Sequence, residues 1–346
     1  FSWMLIYQSA LAQKVDFSHA MVFCPEQNNA PLKEAVVVLQ QVIEEHSNII
    51  LPISPNLNTQ GNPLIVVCIT KEEGTLPKAF YTSLNKLSPT GKDGYKITFL
   101  KDEQTIIIAG FDERGALYGV GYLLRKMEMR RGQILVPENL NISSTPAYPI
   151  RGHQLGYRPK TNAYDAWIVD QFDHYIRDLA LFGANSIEVM PPNTDDDFSN
   201  SHMKLPAIKM IAEQSRICKK YGLDVWMWYP NMGSNYTSTD SIQKELNEAA
   251  KVFKVLPKLN DLFVPGGDPG DLQPGVLFAW LKKLAVVLHQ YHPKAKIWVS
   301  PQVFRPSQKW YDAFYKEVNR KYSWFGGVVF GPWGKEPIQK VRQLVN

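Results

Sequence analysis

Five aspartates gather in two short segments of the 346-residue chain: Asp195, Asp196 and Asp197 in NTDDD, and Asp268 and Asp271 in GGDPGD. Carboxyl groups at that density suit one chemistry above others. Hydrolysis of a glycosidic bond takes two of them flanking the scissile bond, one protonated and one ionised. Crowding acids in a cleft raises at least one pKa by like-charge repulsion, which keeps a carboxylic acid protonated near neutral pH. Asp268 leads the catalytic candidates, because Gly266 and Gly267 before it would let a ligand approach the backbone closely. Its structural alternative is an Asx turn opening Asp-Pro-Gly. Asp271 could supply the second carboxyl or cap a helix beginning near Gln273. Asp196 is the third catalytic candidate, with Asp195 and Asp197 holding sugar hydroxyls; the same run could bind calcium with help from carbonyls, or be a solvated loop.

Recognition of a sugar also draws on rings and planar polar groups. Aromatic residues make up 12% of the chain, and the apolar face of a pyranose stacks on such rings. Trp228, Tyr229 and Trp333 are the stacking candidates, and Gln302 in SPQVFRP is a further polar contact. Arg151 and His153 stand two residues apart in RGH, so on a strand they share a face, here read as the inner one. His153 could equally be a hydrogen-bonded core residue.

These residues require particular elements beneath them. Beyond Tyr148 apolar runs alternate strictly with helical periodicity: strands at IRGHQLGY, NSIEVMPP, DVWMWYP, DLFVPGG, KIWVSPQ and GGVVFGP, each followed by an amphipathic stretch. Gly183, Gly222 and Asn260 sit where helices should stop. Six such units predict an α/β fold, a (β/α)8 TIM barrel present through its sixth unit, in which loops after the strands carry the site. All the candidates above fall on or just after strand ends. A doubly wound sheet would want a Gly-rich phosphate turn after its first strand, and GHQLGY is not one. Because the chain ends after a sixth helix, two further strands are expected beyond it.

Before the barrel the pattern predicts a small α+β domain. Strands are read at MVFC, NIILPI, PLIVVCI, GYKITFL and QTIIIAG, with helices at LKEAVVVLQQVIEEH and GALYGVGYLLRKM on one side of the sheet. PENLNISSTPAYP reads as a linker, which sets the domains at 14–145 and 146–346. Residues 1–13 resemble the end of a signal peptide, with Ala10, Leu11 and Ala12 before Gln13, so the protein is expected to be secreted or periplasmic.

At GYKITFLKDEQTIIIAGFDERGALYGVGYLLRKM the chain resembles the accessory domain that precedes the barrel in family 20 β-N-acetylhexosaminidases and in α-glucuronidases. Arg151 and Gly152 match the Arg-Gly that begins the catalytic domain, and the resemblance implies that Arg151 holds sugar hydroxyls. FGANSIEVMPPNTDDD is similar to a strand ending in Thr-Asp-Asp, onto which Thr194, Asp195 and Asp196 fall, and KKYGLDVWMWYP parallels the next strand. FVPGGDPGD resembles a Gly-Gly-Asp-Glu motif with Gly266, Gly267 and Asp268 in register. In the family that Asp orients the substrate's acetamido group and the adjacent Glu is the general acid. Pro269 stands at the place of the Glu, so the family mechanism does not carry over intact.

The resulting expectation is an exo-acting glycoside hydrolase that removes terminal N-acetylhexosamine or uronic acid from an oligosaccharide or glycoconjugate. Arg158 and Arg305 are available for a uronic carboxylate. The alternative is a non-catalytic glycan-binding protein on a degenerate hydrolase scaffold. A nucleotide-dependent enzyme ranks last for want of a phosphate turn. The net charge of +5 comes from 38 basic and 33 acidic residues interspersed along the chain, which calls for neither nucleic acid nor an anionic membrane. Three cysteines, Cys24, Cys68 and Cys218, lie in apolar runs and read as buried hydrophobes, so no metal, cofactor or disulfide framework is expected. No stretch approaches the length of a membrane span, and oligomeric state is left open.

Overall fold

The computed structural model describes residues 13–25, 30–57, 61–70, 80, 82, 91–155, 167–189, 205–267, 272–305, 307–331 and 336–345. It divides into two compact units. The first is Phe1–Arg151 with Asp178–Gly183 and Lys220–Gly222, and the second is Gly152–Arg177, Ala184–Lys219 and Leu223–Asn346.

The first unit is built on a mixed six-stranded sheet. Its strands are β2 (Met21–Phe23), β3 (Ile53–Ser54), β4 (Leu64–Ile69), β5 (Tyr95–Leu100), β6 (Thr105–Gly110) and β9 (Asn141–Ser144), in the order β3-β2-β4-β6-β5-β9. β6 is buried along its whole length, as expected of a continuous β-branched run at the centre of a sheet. Helices α1 (Ala30–Ser47) and α2 (Glu113–Lys126) pack on each other and on the sheet, so they share one face as expected. Asp112 starts α2 by accepting from the Gly115 backbone N–H at 2.9 Å. Gly115 itself is obligatory, because a Cβ there would lie 2.0 Å from the Gly94 carbonyl oxygen. A second sheet joins β1 (Lys14–Asp16), β8 (Gln133–Pro137) and β7 (Glu128–Arg130), all antiparallel.

Two expectations for this unit need correction. The proline-bounded segment read as a linker contains β9, which pairs with β5 from Asn141 to Ser144. Its polar NISS suits an edge strand, where one row of backbone groups faces away from the sheet. The strand read at NIILPI shrinks to Ile53–Ser54, with Ile50 exposed and only Leu51 buried.

The second unit holds six parallel strands in sequential order: β10 (Gly152–Gln154), β11 (Ser186–Val189), β12 (Asp224–Trp228), β13 (Asp261–Pro265), β14 (Lys296–Ser300) and β15 (Phe325–Val328). Helices α3 (Val169–Leu181), α4 (Ala207–Lys220), α5 (Thr239–Val255), α6 (Pro274–Tyr291) and α7 (Gln308–Val318) alternate with them, and α8 (Ile338–Val345) follows the last. With the right-handed crossover that parallel βαβ units follow almost without exception, a sequential strand order places the connecting helices on one face of the sheet. Among the described residues the sheet is open, with β10 and β15 at its edges. Under the helices lie Ile187, Val189, Val225, Met227, Leu262, Val264, Ile297 and Val299, each at most 1% exposed.

Gly183 and Gly222 follow α3 and α4 with φ of +99° and +70°, the left-handed end that glycine allows. Asn260 does not end a helix, since α5 stops at Val255. Its side-chain oxygen accepts from the Val225 N–H at 2.9 Å, joining the start of β12 to the residue before β13. Cys24, Cys68 and Cys218 are buried, and none of them forms a disulfide. No helix among the described residues is long and apolar enough to cross a membrane.

Candidate functional site

The alternation that buries one face of the parallel sheet sends its remaining side chains to the other. In register across β10 to β14, the row of paired residues is Gln154, Glu188, Trp226, Asp261 and Lys296. This inner face is polar and aromatic. The Gln154 side-chain amide donates to the Glu188 carboxylate. Trp226 and Trp298 tilt against one another with ring centroids 5.1 Å apart, and the Trp298 indole N–H donates to Asp261 at 2.7 Å. Gly326 and Gly327 make room for that indole, since a Cβ on either would meet it at 2.4 Å.

Glu188 and Asp261 are both acids held above the usual carboxylate range. Burial pushes Glu188 up to about 7 against the hydrogen bond from Gln154, which favours its charged form. Burial pushes Asp261 up to about 6, opposed by the Trp298 hydrogen bond and assisted by the negative charge of Asp224. Their positions within their strands differ. Glu188 is the third residue of β11, a strand described as far as Val189, whereas Asp261 is the first of β13, although the register sets both in one row across the sheet. The sequence carried a signal for Glu188: a lone acid in the apolar strand SIEV, at the phase opposite to Ile187 and Val189.

The expected site residues divide as follows. Asp268, Asp271, Asp195, Asp196, Asp197 and Trp333, with Pro269 and Arg158, lie outside the described residues. Arg151 belongs to the first unit and precedes β10. Its guanidinium donates to Asp93 at 2.9 Å and to the Gly183 and Tyr148 carbonyls at 2.8 Å each, so its expected place on the inner face beside His153 is corrected. Asp93 is 2% exposed and also accepts from Arg114 at 2.7 Å, which explains the arginine as an ion-pair partner.

His153 is corrected as well. It pairs in register with Ile187, on the helix face, and its Nε2 lies 2.9 Å from the Tyr175 hydroxyl on α3. Burial lowers its pKa, so the neutral ring is favoured. Neither expected stacking ring of β12 offers an open face, for Trp228 is 5% and Tyr229 3% exposed. Tyr229 packs on Phe253 of α5, and the partly exposed Trp226 and Trp298 are the indoles of the inner face.

Beyond β13, Gly266 and Gly267 do not open the backbone to a ligand. They donate their N–H groups to the Ser300 and Gln302 carbonyls at 2.9 Å each, and Cβ atoms there would lie 2.5 and 2.7 Å from those same oxygens. The pair therefore lets two strand extensions run in contact. Gln302 thus serves through its backbone, next to Val303, a β-branched residue held at φ +56°. Arg305 lies over the Trp310 ring at 5.5 Å.

At the same edge of the sheet a cavity of about 320 Å³ opens between the loop after β12 and the start of α6, lined by Asn231, Asn235, Tyr236, Thr237, Leu272 and Gln273 among others. Asn231 is buried; its amide donates to the Pro265 carbonyl at 3.0 Å, while its Oδ1 has no hydrogen-bond partner among the described residues. No group of three or more His, Cys, Asp or Glu among the described residues is placed to hold a metal ion.

No family model matches the chain, and no curated protein does. Its fold is nonetheless that of solved glycoside hydrolases. The family 20 β-N-acetylhexosaminidase of Streptomyces coelicolor A3(2) matches 93% of this chain and 72% of its own, with a TM-score of 0.64 and 12% identity. The family 84 protein CpGH84B matches 96% of this chain and 57% of its own, with a TM-score of 0.67 and 14% identity. The chitobiase of Flavobacterium johnsoniae matches 93% and 57%, with a TM-score of 0.60 and 10% identity. Identities this low show a shared fold, the one for which the resemblance in the sequence had argued.

Proposed function

We propose that the chain is an exo-acting glycoside hydrolase whose site lies at the C-terminal edge of the parallel sheet, taking a terminal N-acetylhexosamine or uronic acid from a glycan. The observation that carries this reading is the inner face itself, where a largely enclosed Glu188, hydrogen-bonded by Gln154 and with no ion-pair partner among the described residues, stands beside Trp226 in a fold shared with hexosaminidases. Burial of a carboxyl group without a cationic partner costs stability, and such groups concentrate where chemistry is done. Asp268, which follows β13, is the proposed second carboxyl, with Asp271 and Asp196 as further candidates. Pro269 replaces the acid of the related motif, so the proton has to come from elsewhere on the chain. The reading includes export, on the strength of the small-residue pattern before Gln13.

A panel of 4-nitrophenyl N-acetylhexosaminides and hexuronides, run beside a glycan-binding screen, tests the proposal. Turnover of one class of glycoside supports it. Binding of glycans with no turnover of any substrate would instead favour the alternative, a binding protein on a hydrolase scaffold.

A further inference from the structure

We infer that Glu188 is the general acid of this site, the group that protonates the departing oxygen in place of the acid lost at Pro269; the inference rests on the hydrolase reading above. The geometry that points to it is threefold. Glu188 lies on β11 in register with Trp226, at the phase opposite to the buried Ile187 and Val189, and it is partly open to solvent there, so a proton can reach it and leave it. The strands on either side present Gln154 and Trp226 to it, neither of them titratable. The nearest ionisable group along that row among the described residues is Asp261, two strands away and hence roughly 10 Å distant, while His153 faces the opposite side. An acid so placed has an amide to orient it and, among the described residues of its row, no cation beside it to ionise it. A structural buried glutamate would ordinarily have an arginine or lysine instead. Burial acts in the same sense, holding the group up to about 7.

The step balances as follows. As the bond between the anomeric carbon and the glycosidic oxygen breaks, its electron pair passes to that oxygen, which takes the Glu188 proton and leaves as an alcohol. A water adds to the anomeric carbon and gives its proton to a second carboxylate. That carboxylate releases the proton to solvent while Glu188 takes one back, so both groups return to their starting states and the sum is one water consumed per bond cleaved.

A general acid matters most when the leaving group is poor, and this separates the role from a merely structural one. Glu188→Gln keeps the side chain's shape and its pairing with Gln154. On a glycoside with an alkyl or sugar leaving group it should lose at least ~100-fold in kcat/KM, and on a 2,4-dinitrophenyl glycoside of the same sugar less than ~10-fold. The wild type, needing no variant to fold, should lose kcat/KM on the poor leaving group as pH rises through about 7. Equal losses on both substrates, or a flat wild-type profile between pH 5 and 8, would overturn the role of Glu188 while leaving the hydrolase intact. A wild type that cleaves neither substrate overturns the hydrolase reading, and the acid role falls with it.

Discussion

Glu188 ties stability to function, because the condition that fits it to hold a proton also penalises its charge. Its pKa is raised in the folded state, to about 7 from an ordinary 4.5, so between those values the native protein binds more protons than the unfolded chain. Stability that is fully present below about 4.5 is therefore lost as pH rises through about 7. Glu188→Gln should remove that dependence and stabilise the protein at pH 8 by about 3 kcal/mol, and thermal melts of both proteins at pH 5 and pH 8 check it. A smaller slope should persist in the variant from Asp261, whose pKa is shifted in the same direction. Melting curves of equal pH dependence would contradict the burial argument. Asp93 poses the opposite case, a buried carboxylate with two arginines upon it. Asp93→Ala leaves both guanidiniums without their partner and should cost about 3 to 5 kcal/mol in denaturant unfolding; a loss under ~1 kcal/mol would show the pairs to be dispensable. Arg151 is where sequence reading went astray, since the residue type announces a carboxylate partner but does not say which one.

The elements of the second unit were legible because each carries a period. Amphipathic spacing of three and four marks α4 and α5, and unbroken apolar runs mark β12 to β14. Phase was harder than identity. β10 is only Gly152, His153 and Gln154, too short and too polar for its own pattern to say which face is inner, and a shift of one residue exchanges His153 for Gln154. β9 was missed for a related reason, as NISS owes its strand to pairing with β5 rather than to its own hydrophobicity. The glycine pair after β13 was correctly singled out and wrongly explained. A Cβ on Gly267 would lie 2.7 Å from the Gln302 carbonyl oxygen, so Gly267→Ala should cost about 1 to 3 kcal/mol, measured by urea unfolding. An unchanged midpoint would mean that this strand extension yields freely. Val303, at φ +56° beside it, should become more favourable by about 1 kcal/mol as glycine, which relieves the strain of a β-branched residue in that region.

Across the whole molecule, two compact units and a six-stranded parallel sheet in sequential order match solved glycoside hydrolases at 10 to 14% identity. Fold of this kind survives such divergence because it is encoded in period and burial, which many sequences satisfy. A site is encoded in single residues, which period and burial do not mark: Glu188 stands within a strand, where its only signal is an acid at the phase opposite to Ile187 and Val189. The C-terminal edge of that sheet is where the proposed hydrolase cuts its glycosidic bond, with Asp268 proposed as one of two carboxyls. The direct measurement is kcat/KM of Asp268→Asn beside the wild type, on the glycoside that the wild type hydrolyses, with melting temperatures recorded for both. The expected result is a fall of at least ~100-fold at an unchanged melting temperature, the scale of losing an acid, base or charge-stabilising group. Activity within a few-fold of wild type would contradict the account and remove this edge of the sheet from the chemistry.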